Sequence, residues 1–175
     1  MSEILSRTGL SKGGFYHYFS SKEDLFKEIL NLFIAFGSAD YNNFDRTSLK
    51  QFYTSYTTSI TGALQKISSF VSSDSTENLS LNFFFIMFEA ASRVPEFLLT
   101  EKEIYKRDLA EWTSMIESAR LSGEIESSSS NEEIAKLFLY CTDGVFIRFV
   151  NNIQETSYQE ELQQAFDTIY EGIRK

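Results

Sequence analysis

Apolar residues in this chain recur every three or four positions, and no stretch alternates convincingly in the period-two manner of a strand, so the pattern predicts an all-α protein. Ile4 and Leu5 give the first short helix an apolar face, and Gly9 suits the left-handed residue that closes it. Leu10 is placed to fill the space before the next helix, which Ser11 caps. That second helix turns Phe15 and Phe19 inward and Lys12, Tyr16 and His17 outward. Ser20 and Glu23 read as a capping box for a third helix with Leu25, Ile29, Leu32, Phe33 and Phe36 on one face. The polar stretch from Gly37 to Asp45 reads as a linker.

Beyond it, Phe52, Tyr56, Ile60, Ala63, Ile67 and Phe70 form the stripe of a long helix that Ser72 to Ser75 interrupts. A helix from about Glu77 to Arg93 is apolar on nearly every side around Phe83 to Phe88, which predicts a central position. Pro95 breaks it. Thr100 and Glu103 read as the capping box of the following helix, lined by Tyr105, Leu109, Trp112, Ile116 and Ala119 and ended by Gly123. Ser130 with Glu133 opens a helix carrying two apolar stripes: Ile134, Phe138, Cys141, Val145 and Phe149 on one, Ala135, Leu139 and Phe146 on the other. Ser157 with Glu160 opens the last helix, which carries Leu162, Phe166, Ile169 and Ile173.

Two short helices joined by a glycine turn, with hydrogen-bond donors on the second, have the layout of a helix-turn-helix DNA reader. The residues Thr-Gly-Leu-Ser-Lys-Gly-Gly-Phe-Tyr-His-Tyr-Phe (8–19), followed by Ser-Lys-Glu-Asp-Leu (21–25), resemble the recognition segment of the TetR/AcrR family of bacterial transcriptional regulators. The likeness is dense over residues 3 to 30 and much weaker beyond. It implies a TetR-like fold divided into a DNA-binding domain with its connecting helix (1–44) and an effector-binding and dimerisation domain (45–175). It implies DNA contacts at Lys12, Gly13, Gly14, Tyr16, His17 and Lys22, and a homodimer built from the last two long helices. Members of that family place a further helix and a basic arm ahead of the position where this chain has Met1, so the likeness implies that the reader domain is truncated. The doubled stripe on 134–149 points independently to a partner helix. The interface is therefore expected at Phe138, Val145, Phe146, Phe149, Leu162, Phe166 and Ile169.

The family encloses an effector among its central helices. Carried onto this chain, that implies a ligand site at Phe52, Tyr56, Phe83, Phe84, Met87, Tyr105, Trp112 and Phe138, suited to a small apolar or aromatic molecule, while each of these residues taken singly reads more simply as core. The expected function is a ligand-responsive transcriptional regulator, a repressor released from its double-stranded DNA operator by that effector. The alternative is a ligand-binding helical dimer that has lost DNA binding through its shortened N-terminus.

Charge and composition limit the other classes. The net charge is −9, yet residues 1 to 30 are neutral, with Arg7, Lys12, Lys22 and Lys27 against Glu3, Glu23, Asp24 and Glu28. A neutral reader on an acidic body is compatible with DNA, because affinity depends on the charges placed at phosphates. One histidine and one cysteine, His17 and Cys141, are far apart in the chain, so no metal site is suggested. No nucleophile elbow or dinucleotide loop is present, and neither an enzyme nor a cofactor is expected. The single cysteine, with no visible signal peptide and no apolar run long enough for a bilayer, makes the cytoplasm the expected compartment and gives the membrane no role.

Overall fold

The computed structural model describes the backbone of residues 1–71, 82–150 and 157–175, and the side chains of the same ranges except 36–37, 68–71, 82–84 and 150. Among the described residues there are eight α-helices: α1 (Ser2–Thr8), α2 (Lys12–Tyr18), α3 (Lys22–Gly37), α4 (Leu49–Val71), α5 (Asn82–Arg93), α6 (Pro95–Leu121), α7 (Asn131–Val150) and α8 (Tyr158–Glu171). They fall into two compact units, Met1–Phe36 and Gly37–Lys175.

In the first unit Gly9, at φ 68°, closes α1 in the left-handed conformation. Ser11 caps α2 by accepting from the Gly14 amide at 2.9 Å. Phe15 is 1% exposed and packs on Phe19 with ring centroids 5.5 Å apart. Leu10, expected to be enclosed, is exposed. The cap of α3 lies one residue later than expected. Ser21 accepts from the Asp24 amide at 3.0 Å, and the Asp24 carboxylate takes the Ser20 amide at 2.8 Å, so Asp24 does what Glu23 was expected to do. Among the described side chains of α3, Leu30 is buried, while Ile29 and Leu32 are exposed.

The second unit is a helical bundle in which α7 packs on α6 and α8, and α4 on α6 and α8. Its core is aromatic. Trp112 stacks on Phe138 at 4.7 Å and meets Phe52 and Tyr56 edge-on, each at 5.1 Å. Phe166 closes on Phe138 at 5.0 Å. The stretch read as a linker belongs to this core: Ala39 and Tyr41 are buried, and a 3-10 turn at Tyr41–Asn43, capped by Asp40, stacks the Tyr41 ring on Phe52.

Pro95 occupies the first turn of α6, where its missing N–H costs nothing. The helix then runs through Thr100, whose hydroxyl donates to the Glu96 carbonyl, so no capping box forms there. It ends in a paired Schellman closure: Gly123, at φ 75°, donates to Arg120 O, and Glu124 donates to Ala119 O at 2.9 Å. Arg120 pins the serine loop behind it through Ser127 O, Ser129 O and Asn131 Oδ1. The Ser130–Glu133 and Ser157–Glu160 capping boxes form as expected.

α5 is not the central helix its composition suggested. Phe85 and Phe88 are 68% and 72% exposed, because α5 packs mainly on α6 and buries Ala90. The part of that expected helix at 77–81 and the interruption at 72–75 lie outside the described residues. No helix among the described residues is long and apolar enough to cross a membrane.

Candidate functional site

The six residues expected at DNA are all in the first unit. Lys12 and Gly13 open α2 and are exposed, and a Cβ added at Gly13 would meet nothing within 4 Å. Gly14 is tighter: a Cβ there would come 3.2 Å from Ser11 Oγ, the atom that caps the helix. Small residues at 13 and 14 thus leave the first turn of α2 bare while keeping its cap. Tyr16 and His17 follow on the exposed surface, held from behind by Phe15, whose ring meets Tyr16 edge-on at 5.3 Å. Lys22 is exposed at the first residue of α3. Tyr18, not among the expected contacts, is more exposed than Tyr16 and packs on the His17 ring at 5.0 Å. Its place in the helix-end sequence Tyr-His-Tyr-Phe was the signal that could have found it.

The residues expected at the effector divide differently. Phe52, Trp112 and Phe138 have no exposed surface. They are the packed centre of the bundle. Tyr105 is exposed, Met87 is half-buried, and the side chains of Phe83 and Phe84 lie outside the described residues. Tyr56 is the one whose polar end has a distinct environment: its hydroxyl pairs with Thr142, and burial holds it well above the ordinary phenol range.

The expected interface residues divide too. Phe138, Leu162 and Phe166 are fully buried within one chain and have no surface to offer a partner. They face inward because the α4, α6, α7 and α8 stripes converge on them. Val145, Phe146, Phe149 and Ile169 are half-buried against that core. Among the described residues, the large apolar side chains that α7 exposes are Leu137, Tyr140 and Ile147, a third line running beside Gly144. Reading α7 as two stripes missed it, since it shares helical spacing with both.

Residues 1–29 match the family model for bacterial regulatory proteins of the tetR family. No curated protein sequence matches the chain. Over its length the chain is similar to a crystal structure described as a transcriptional regulator, TetR/AcrR family member. The TM-score is 0.61 and the identity 20%, covering 97% of this chain and 87% of that one. It is also similar to the flavonoid-responsive regulator FrrA, with a TM-score of 0.50 and 17% identity, covering 99% of this chain and 86% of that one.

Proposed function

We propose, from the match of residues 1–29 to the family model for bacterial regulatory proteins of the tetR family, that the chain is a regulator of that family and represses transcription as an effector-released homodimer on operator DNA. The observation that carries this is the arrangement of α2. One face buries Phe15, while Lys12, Tyr16 and His17 stand exposed with a bare glycine turn beside them. A helix so mounted can enter a major groove by its first turn, with glycines that let the backbone approach the duplex. Lys12 reads base edges, Tyr16 and His17 bond phosphates, and Lys22 adds positive charge at the start of α3.

The dimer forms through α7 and α8. Leu137, Tyr140 and Ile147 supply its apolar contact, and the buried Phe138, Leu162 and Phe166 hold the two helices rigid behind it. Two reader units then meet half-sites about one helical turn apart. A small aromatic effector bound in residues 45–175 changes their separation and releases the DNA, with α3 as the transmitter. The similarity in fold to a flavonoid-responsive regulator supports an aromatic effector.

Repeated selection of bound duplexes from a randomised library tests the reading. The expected result is enrichment of a two-fold symmetric sequence. A library that stays random after several rounds would remove the repressor assignment.

A further inference from the structure

The second unit carries a cleft of about 400 Å³, open to solvent. Thr54, Ser55, Thr58 and Ser59 of α4 line one side of it, and Asp40, Asn43 and Phe44 of the preceding turn line the other. The four α4 residues are half-buried or exposed, while Phe52, Tyr53, Tyr56 and Thr57 of the same helix are buried, so the cleft lies away from the packed centre. Its volume is in the range of small-molecule sites.

The turn side is held in place. Tyr41 at 4.9 Å, Phe52 at 5.6 Å and Tyr56 at 6.3 Å fix the Phe44 ring, which stays half-buried and gives the cleft an aromatic wall. The Asp40 carboxylate accepts from the Asn42 amide at 3.3 Å, from Asn42 Nδ2 at 3.1 Å and from Asn43 Nδ2 at 2.8 Å.

The polar atoms keep unused capacity. Ser55 Oγ accepts from the Asp45 amide at 3.2 Å, which leaves its proton to donate. Among the described residues Ser59 Oγ has no hydrogen-bond partner. Asn43 gives one amide proton to Asp40 and keeps the other, together with its carbonyl. Thr54 and Thr58 differ, because their hydroxyls donate back to the Lys50 and Thr54 carbonyls and offer the cleft only lone pairs and methyl surface.

This lining selects among ligand classes. Asp40 is its only charged residue, so an anion meets repulsion. A cation gains little, because three donors already answer that exposed carboxylate. A plain hydrocarbon would take water from Ser55, Ser59 and Asn43 and return no hydrogen bond. A ring with a C–H face and hydroxyls around its edge meets both the aromatic wall and the polar atoms.

We propose that this cleft binds a neutral cyclic polyol of pyranose size, its C–H face on Phe44 and its hydroxyls bonded to Asn43, Ser55 and Ser59. The site is separate from the aromatic centre of the bundle, and it stands or falls independently of operator binding.

Saturation-transfer NMR on the full chain tests this, with the methyl pyranosides of glucose, galactose and mannose as probes. The comparators are cyclohexanol, a six-membered ring with a single hydroxyl, and methyl glucuronide, a pyranoside that carries a carboxylate. At least one neutral pyranoside is expected to bind, with saturation strongest on the C–H protons of one ring face. Cyclohexanol and the glucuronide should each bind more weakly by about fivefold or more. Ser59→Leu fills the cleft from a hydroxyl without a protein partner and should abolish binding. Asn43→Ala, on the exposed turn, should weaken it by about threefold or more. A thermal melt of each variant confirms that it folds, and Asn43→Ala decides alone should Ser59→Leu not fold. Absence of transfer to all three pyranosides overturns the proposal. Binding that survives the folded variants unchanged overturns it too, and so does a comparator that binds as well as the best pyranoside.

Discussion

The Tyr53 hydroxyl donates to the Asp167 carboxylate at 2.6 Å, and this bond ties α4 to α8 across an otherwise aromatic seam. The Tyr53 ring is fully buried against Phe138 and Phe166, so the phenol must place its one polar atom somewhere, and Asp167 sits where the seam reaches solvent. Tyr53→Phe should lower stability by about 1–2 kcal/mol. The lower part of that range is favoured because water can replace the phenol at a half-exposed carboxylate. Urea unfolding of parent and variant measures it, and an unchanged midpoint would mean that the bond contributes nothing net.

Tyr53 belongs with Tyr41, Tyr56 and Tyr158, buried tyrosines whose phenols loss of water holds well above the ordinary range. The folded-state pKa of each lies above its unfolded value of about 10. Their contribution to stability is therefore complete below about pH 10 and is lost as pH rises further, because only the unfolded chain releases those protons readily. The melting temperature should fall steeply on that alkaline limb, and phenolate absorbance from these four should appear together with loss of the helical signal. Ionisation of all nine tyrosines with the helices intact would contradict this.

Glu124 joins three elements. Both carboxylate oxygens accept from the Leu49 amide at 3.0 Å, in the first turn of α4, and Oε1 also accepts from the Tyr170 hydroxyl of α8. Ser48 caps only the Gln51 amide, so Glu124 supplies a second partner from the far end of α6. Glu124→Ala should cost about 1–2 kcal/mol, in the range of a lost helix cap, with Tyr170 losing its acceptor as well. Glu124→Gln should recover part of it, since an amide oxygen still accepts. Chemical denaturation of the two variants compares them.

The elements with a strong local signal were legible in the sequence. Gly9, Ser11, Gly123, Ser130 and Ser157 each act on a neighbour within a few residues, and each does what its chemistry suggests. The misplaced features depend on what lies across the chain. Thr100 has the spacing of a cap, but Pro95 had already started α6 and the threonine bonds backward inside it. Tyr41 sits among polar residues and still stacks on Phe52, a contact that only tertiary packing reveals. The same limit applies to function. Lys12, Tyr16 and His17 were readable because one short helix presents them. The exposed line of Leu137, Tyr140 and Ile147 was not, because which faces of α7 are covered depends on α6 and α8 packing against it.

The exposed line of α7 makes the proposed dimer testable without disturbing the core. Leu137→Asp or Ile147→Asp should give a folded monomer, since both side chains already face water in a single chain and the substitution burdens only the associated state. Phe138→Asp should unfold the protein instead, because Phe138 has no exposed surface and a carboxylate there would be buried unpaired. Sedimentation velocity with circular dichroism separates the two outcomes. Dimers persisting in both surface variants would move the interface away from α7.

Lys12 and Lys22 carry the same charge, yet their positions predict different failures. Lys22 begins α3 and is expected at a phosphate. Lys22→Ala should weaken binding to every sequence alike and reduce the salt dependence by about one unit of slope, because one fewer counterion is released. Tyr16→Phe should also weaken all sequences, but with no change of slope, since it removes a hydrogen bond and no charge. Lys12 opens α2, whose first turn is the part expected in the major groove. Lys12→Ala should cost about 1–3 kcal/mol chiefly on the selected operator and narrow the gap between it and a scrambled duplex. Anisotropy titrations of the three variants on both duplexes, at two salt concentrations, distinguish these patterns. Lys12→Ala behaving like Lys22→Ala would place Lys12 on the backbone and leave base reading to another residue, with the exposed Tyr18 the next to test.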